Sequence, residues 1–216
     1  MNTGIIIVIF LLIIYEWQTH YIYDYFTTDN VISSIDKRTY RVSGGFTDMN
    51  NASNTMAKLN NFIIEFLRFL RNKFIVDKQG LYIEQAFVKR LLKNYNPDVI
   101  FENNPKPGED TSFVVNKGEQ FAICLRNKKN KTIHDMNTLQ FVIIHELTHM
   151  GCINYGHGYE FWSWMKFMLI QATKSGLYTP VDYSINPVSY CGMNVSFSPY
   201  YTDIYDWRSA KANDSQ

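Results

Sequence analysis

The chain has 216 residues, enough for one domain with a substantial hydrophobic core and a short additional segment. Its 21 Lys and Arg residues are balanced by 20 Asp and Glu residues, which leaves a formal net charge of +1. This balance disfavours a nucleic-acid partner, because proteins that bind nucleic acid normally carry clustered basic residues.

An apolar, uncharged run occupies residues 5–15 and is closed by Trp17. The run is shorter than the ~20 residues that comfortably span a bilayer. No Lys or Arg precedes it, and no small-residue cleavage site follows it. We interpret residues 1–18 as an uncleaved membrane anchor, with a processed signal peptide or a buried strand as alternatives. The sequence therefore predicts a single-pass membrane protein.

Residues 19–54 mix aromatic side chains with Thr, Ser, Asp and Asn, a composition typical of a stalk or linker. One short strand is expected in it, near Tyr40-Arg41-Val42. The folded domain is predicted to cover residues 55–205. The polar residues 206–216 are predicted to form a disordered tail.

Two amphipathic helices are predicted at the start of this domain. Residues 55–74 place apolar side chains at helical spacing against Lys, Glu and Arg, and residues 83–95 repeat the pattern until Asn96-Pro97 stops it. The first helix is expected to pack on the core, with a position on a membrane surface as the alternative.

Short strands follow the two helices. Residues 98–101 form a strand candidate, and residues 111–115 and 120–125 flank a turn at 116–119. Gly118 can supply the positive φ that such a hairpin needs. One strand of this hairpin is the candidate for binding an extended peptide by strand addition.

A metal-binding motif lies in a predicted helix at residues 138–150. His145 and His149 are four residues apart, so both imidazoles fall on one helix face and can reach one metal ion, and Glu146 can address a bound water. The preceding run 139–144 is apolar except for Gln140, which predicts that this helix is buried. The alternative is a chance motif, because a His-Glu-x-x-His sequence also occurs in proteins that bind no metal.

A third ligand is expected after this helix. His157 is the candidate, with Glu160 as its rival, and a further helix is predicted over residues 157–174. Cys152 is a conceivable fourth ligand, although free cysteine is more often a small buried hydrophobe. The three cysteines are an odd number without CxxC spacing, so a disulfide framework is not indicated.

Residues 182–193 are rich in Tyr and contain no helix pattern. In a zinc peptidase, a hydrogen-bond donor beyond the third ligand can stabilise the oxyanion, and Tyr183 and Tyr190 are the available donors. Each can equally be structural. The turn Cys191-Gly192-Met193 could lie under the metal as a methionine turn does in metzincins.

Several motifs together resemble those of the SprT-like and WLM families of zinc metallopeptidases, most of all the metallopeptidase-like proteins of large DNA viruses. In these families a histidine after the active helix is the third ligand, and an aromatic residue follows it by four. The likeness covers about residues 55–200. The segments that carry it are His145-Glu146-Leu147-Thr148-His149, Gly156-His157-Gly158, Phe161-Trp162, Asn116-Lys117-Gly118-Glu119, Cys124-Leu125-Arg126, Pro180-Val181-Asp182-Tyr183 and Tyr190-Cys191-Gly192-Met193.

The resemblance implies an α+β, zincin-like domain, with helices packed on a small antiparallel sheet behind the N-terminal anchor. Together with the anchor interpreted from the apolar run 5–15, it predicts a membrane-tethered peptidase of a viral or host membrane, or of the virion. Zn²⁺ would be held by His145, His149 and His157, and Glu146 would be the general base acting on protein or peptide substrates. The alternatives are a virion structural or interaction protein that keeps the fold, and a DNA-associated SprT-like protease.

Overall fold

The computed structural model describes residues 28–105 and 109–208, together with Ile9, Phe10, Leu12, Ile14 and Tyr15. Within these residues the fold is α+β. The helices are α1 (Met49–Leu70), α2 (Tyr82–Asn94), α3 (Met136–Gly151) and α4 (Tyr159–Lys174). The strands are β1 (Thr28–Ile32), β2 (Thr39–Ser43), β3 (Ile100–Asn103), β4 (Phe113–Val115), β5 (Gln120–Cys124), β6 (Val188–Tyr190) and β7 (Met193–Val195). A π-helical turn (Arg71–Val76) extends α1, and a short 3-10 helix lies at Pro199–Tyr201.

The four helices enclose the main hydrophobic core. Helix α3 is buried along most of its length, as its apolar sequence predicts, and Asp135 caps it by accepting a hydrogen bond from the Thr138 N–H (2.9 Å). Phe87 of α2 stacks on Trp164 of α4, with 4.3 Å between ring centroids. Gly151, the last residue of α3, lies so close to Phe87 that a Cβ would be 2.4 Å from its ring. This contact brings the end of α3 tightly against α2.

The central sheet is mixed, where a purely antiparallel sheet was predicted. Its order is β3-β5-β4, with β3 parallel to β5 and β4 antiparallel to β5. The chain reverses direction at the β4–β5 hairpin, and β5 then lies between β4 and β3. In this position β5 runs antiparallel to β4 and parallel to β3. Within the described residues β4 pairs with β5 alone and is an edge strand.

Part of the predicted linker is folded onto this domain. Strands β1 and β2 form an antiparallel hairpin, and Tyr40 and Val42 are buried. The Tyr40 hydroxyl group accepts a hydrogen bond from Asn60 Nδ2 of α1 (3.0 Å). Helix α1 itself begins at Met49. The structure therefore differs from two predictions, the stalk over residues 19–54 and the start of the folded domain at residue 55. The reason is that side chains of β2 contribute to the core.

The N-terminal membrane anchor is the prediction that the structure contradicts. In the part of the chain described, no helix is long and apolar enough to cross a membrane. The reason is length, since the run 5–15 would rise about 16 Å as a helix against about 30 Å of hydrocarbon. The single-pass location is corrected accordingly. Most of residues 1–18 lie outside the described residues.

The start of the predicted tail also packs on the core. Trp207 is 5% exposed, and its indole Nε1–H donates to Glu84 Oε1 (2.6 Å) near the start of α2. A hydrophobic ring and a buried hydrogen bond thus hold Trp207 against the core. The prediction of disorder for residues 209–216 falls outside the described residues.

Candidate metal centre

Three imidazoles converge at the C-terminal half of α3. His145 and His149 lie one helical turn apart, with 3.3 Å between their Nε2 atoms. His157, in the loop between α3 and α4, brings its Nε2 to 2.9 Å from that of His145 and 3.1 Å from that of His149. The structure thus brings together the three histidines that the sequence suggested as ligands.

The arrangement of these nitrogens fits a tetrahedral metal ion. At zinc–nitrogen distances of about 2.0–2.1 Å, two ligands of a tetrahedron are about 3.3 Å apart. The three observed separations are 2.9, 3.1 and 3.3 Å. One N–H can point at only one neighbour, so three converging Nε2 atoms cannot all be satisfied by hydrogen bonds to one another. A cation shared by their lone pairs removes that conflict. The donor set therefore fits zinc.

The electrostatic environment keeps these imidazoles neutral. The pKa of His145 is lowered to about 3, mainly by burial and then by the neighbouring imidazoles. Burial likewise lowers the pKa of His149 to about 4, with smaller effects of His157 and Lys117. Burial also lowers the pKa of His157. At neutral pH each ring therefore has a lone pair available for a metal.

Aromatic rings fix the orientation of the imidazoles. Phe161, in the first turn of α4, stacks on His149 with 4.2 Å between centroids and lies 4.7 Å from both other histidine rings. The Trp162 ring lies 5.8 Å from the His157 ring, measured between centroids. The aromatic residue four positions after His157 therefore packs directly against the ligand candidates.

Glu146 is buried on the helix that carries His145 and His149. Its side chain lies on α3 directly after His145, and the residue is 4% exposed. Burial raises its pKa to about 8, and the charge of Asp110 contributes to the rise. A carboxyl group in such surroundings is poised to hold or release a proton near neutral pH.

Glu160 does not join the histidines. Its carboxylate accepts hydrogen bonds from the backbone N–H groups of Ile153 (3.0 Å) and Asn154 (3.3 Å), and from Asn154 Nδ2 (2.8 Å). Among the described residues, the group able to hold a metal consists of His145, His149 and His157. The geometry thus favours His157 over its rival.

Cys152 is not brought into the metal-binding group either. The residue is 3% exposed, and burial raises the pKa of its thiol. It caps the end of α3 through its backbone N–H, which donates to the carbonyl oxygen of Thr148 (3.0 Å). The thiol therefore behaves as a small buried hydrophobe.

Tyr190 lies near Glu146 on the sheet side of the site. Burial raises the pKa of Tyr190, and the Glu146 charge raises it further. The hydroxyl group donates to the carbonyl oxygen of Cys124 (2.8 Å) and accepts from Ser112 Oγ (2.6 Å). Its single proton is thus committed to the backbone, which disfavours an oxyanion-stabilising role.

Tyr183 lies at the other end of α3. Its ring packs edge-on against Phe141 (4.7 Å between centroids), and the residue is 1% exposed. In the described part of the chain, its ring contact is thus with Phe141 and not with one of the three histidines. Met193, proposed as a methionine turn, is 53% exposed, and its sulfur accepts from Thr111 Oγ1 (3.4 Å). It points to solvent instead of lying beneath the metal site.

A disulfide bond supports the sheet side, contrary to the sequence prediction. Cys124, at the end of β5, is bonded to Cys191 in the β6–β7 turn, 67 residues away. The backbone N–H of Cys191 also donates to His134 Nε2 (3.2 Å). Sequence reasoning missed this bond and Ser112 because neither has a motif. One signal could have pointed to the disulfide, because Cys124 and Cys191 each lie in a segment that carries the family resemblance.

Comparison with known proteins finds viral relatives. An uncharacterised protein of Acanthamoeba polyphaga mimivirus is 37% identical over 129 residues, which are 60% of this chain and 61% of the relative. An uncharacterised protein of invertebrate iridescent virus 3 is 37% identical over 84 residues, 38% of this chain and 52% of the relative. One of invertebrate iridescent virus 6 is 33% identical over 88 residues, 40% of this chain and 46% of the relative.

The chain thus spans about three fifths of the mimivirus relative and about half of the iridescent-virus relatives. No family model matches the chain, and no solved structure matches it. Because the viral relatives are uncharacterised, the similarity names no activity.

Proposed function

We propose that this chain is a zinc-dependent metallopeptidase of the SprT-like and WLM type. The observation that carries the proposal is the convergence of three histidine Nε2 atoms within 3.3 Å of one another, two of them on the helix that also carries the buried carboxyl group of Glu146. Zinc held by His145, His149 and His157 would supply Lewis acidity and lower the pKa of a bound water.

Glu146 is the general base of this proposal. Its carboxylate takes a proton from the attacking water and returns it to the leaving amine, so that one C–N bond is exchanged for one C–O bond and no proton is left over. The raised pKa of about 8 suits the second step, because the protonated form is readily populated near neutral pH. A cation near the carboxyl group favours its ionised form, which suits the first step.

The edge strand β4 is the proposed support for the substrate. It packs near α3, and in the described part of the chain its second edge pairs with no strand. An extended polypeptide can add to that edge through backbone hydrogen bonds, with little demand on its side chains. The substrate class is therefore protein or peptide in an extended conformation.

The test compares zinc content with cleavage in the full chain. Glu146→Gln keeps the size of the side chain and should retain zinc, but it should lose cleavage of unfolded casein by at least about a thousandfold, because the proton acceptor is gone. His149→Ala should lose both zinc and cleavage. Zinc is measured by mass spectrometry of the dialysed protein.

Two outcomes would contradict the proposal. If wild type holds no zinc, the metal centre itself is wrong. If wild type holds zinc but cleaves no more than Glu146→Gln over a range of substrates and pH, the peptidase assignment fails. A zinc-bearing structural or virion interaction protein would then be the remaining function.

A further inference from the structure

The loop that carries His157 has little burial to hold it. Residues 153–158 are all exposed, and the loop contains Gly156, at a φ of +85°, and Gly158. Neither glycine has an atom within 4 Å of the place where a Cβ would be. A loop of this composition loses considerable conformational entropy when it is fixed. Other contacts must therefore hold His157 beside α3.

One set of contacts comes from Glu160. Its carboxylate accepts hydrogen bonds from the N–H groups of Ile153 and Asn154 and from the Asn154 side chain, at 3.0, 3.3 and 2.8 Å. Charge-assisted hydrogen bonds of this kind are stronger than neutral ones. Glu160 thus fastens the first half of the loop to the start of α4.

A second set comes from Lys117 in the β4–β5 turn. Its ammonium group donates to the carbonyl oxygens of His149 (3.1 Å) and Asn154 (2.8 Å). It also lies 4.3 Å above the ring of Tyr155. Lys117 therefore ties the end of α3, where His149 lies, to the same residue of the loop that Glu160 holds.

We propose that Lys117 and Glu160 are positioning residues that hold Asn154 between them and so preorganise His157 as the third ligand. The inference rests on the proposed metal site and names two residues that determine the affinity of this site for zinc. A loop fixed in advance pays less ordering entropy when the ion binds, so metal binding is tighter. Neither side chain touches the ion in this account.

Because Lys117 and Glu160 have opposite charges, the positioning role can be distinguished from a direct Coulomb interaction between these charges and a bound cation. If only Coulomb interaction with a bound cation mattered, loss of the Lys117 charge would tighten metal binding and loss of the Glu160 charge would weaken it. If positioning dominates, both substitutions weaken it.

The experiment measures the zinc dissociation constant of the full chain by competition with a chromophoric chelator. Lys117→Met and Glu160→Gln should each weaken zinc binding by about 10-fold to 100-fold, as is typical for residues that orient metal ligands. Lys58→Met and Glu65→Gln are the matched controls, since both residues are exposed on α1, and should stay within about twofold of wild type. Lys117→Arg keeps a charged donor and should recover part of the affinity.

Thermal unfolding of the metal-free variants provides the second measurement. If the residues position the loop, the metal-free melting temperature should stay close to that of wild type while zinc affinity falls. Tighter or unchanged zinc binding in Lys117→Met would overturn the proposal. So would a loss of affinity that merely follows a loss of metal-free stability. If wild type binds zinc but the variants do not show the expected loss of affinity, the positioning role is refuted and the proposed metal centre survives. If wild type binds no zinc, the metal centre and the positioning role are both refuted.

Discussion

The two sides of the candidate site are built differently. On the helical side, the groups of the site lie within residues 145–160. They are the three histidines, Glu146, and Glu160, which holds the loop that carries His157. On the sheet side, Ser112, Cys124 and Tyr190 come from three separate segments, joined by hydrogen bonds and by a disulfide that spans 67 residues. The comparison teaches that groups suited to chemistry are local in this sequence, whereas the groups that build the sheet side are not.

The largest expected effect concerns the disulfide on the sheet side. Replacing Cys124 and Cys191 together by Ala should destabilise the protein by about 4 kcal/mol, because a closed loop of this length restricts the unfolded chain. Zinc content should stay unchanged, since the ligands lie on the other side. Urea unfolding and metal analysis measure the two effects.

Cys152→Ala is the matched control for this pair, since it removes the free buried thiol. It should leave the Cys124–Cys191 bond intact, so reductant should destabilise this variant and wild type alike. A double variant that loses zinc in step with stability would show that the two sides are not separable.

A smaller effect is expected from the buried ion pair beneath the sheet. Arg126 and Glu102 are 4% and 1% exposed, and Arg126 Nε donates to Glu102 Oε1 (2.9 Å). Arg126→Met leaves the carboxylate buried without its cation and should cost about 3 kcal/mol. The double variant Arg126→Met, Glu102→Leu should regain part of this in urea unfolding, but not all, because the buried Ser43 N–H loses its acceptor Glu102 Oε2 (2.8 Å). Equal instability of single and double variants would contradict the explanation.

The same contrast explains what the sequence could predict. The periodicity of the α2, α3 and α4 segments and the His145–Glu146–His149 spacing depend on local contacts, so helices and ligands were predictable from neighbouring residues. The parallel pairing of β3 with β5, the Cys124–Cys191 bond and the packing of β2 depend on contacts between distant segments. Local patterns carry no information on those. The N-terminal run was misinterpreted because hydrophobicity without sufficient length does not define a membrane span.

On the helical side, stability should depend on pH, and over a single pH unit this effect should be smaller than the two above. The pKa of Glu146 is raised from 4.5 to about 8 by burial, so the metal-free folded state keeps a proton that the unfolded chain releases between these values. Stability from this group is full below pH 4.5 and is lost as the pH rises towards 8. Glu146→Gln has no such proton. Its stability relative to wild type should therefore grow by up to about 1.4 kcal/mol per pH unit in this window.

Urea unfolding at several pH values in the presence of a chelator measures that difference. Glu65→Gln, on the exposed face of α1, is the control and should follow wild type. Parallel curves for wild type and Glu146→Gln would show that Glu146 is not a buried neutral acid in the metal-free protein.

The smallest expected effect distinguishes the two tyrosines. Tyr190→Phe removes the hydrogen bond to the Cys124 carbonyl oxygen and should destabilise the protein by about 1 kcal/mol. Cleavage should fall less than about tenfold, because the hydroxyl proton is used by the backbone and not by the substrate. Tyr183→Phe, far along α3, should leave cleavage unchanged. A loss of several hundredfold in Tyr190→Phe at unchanged zinc content would restore its catalytic role.

Gly151, Gly156 and Gly158 should respond differently to saturation mutagenesis, although they lie within eight residues. At Gly151 any side chain meets the ring of Phe87, itself stacked on Trp164, so the position should accept glycine alone. At Gly156 there is space, but the φ of +85° should restrict the choice to glycine and, less well, asparagine. Gly158 has space and an ordinary φ of −71°. It should tolerate many residues, so a tolerance profile of this segment would report separately on helix packing, backbone conformation and neither.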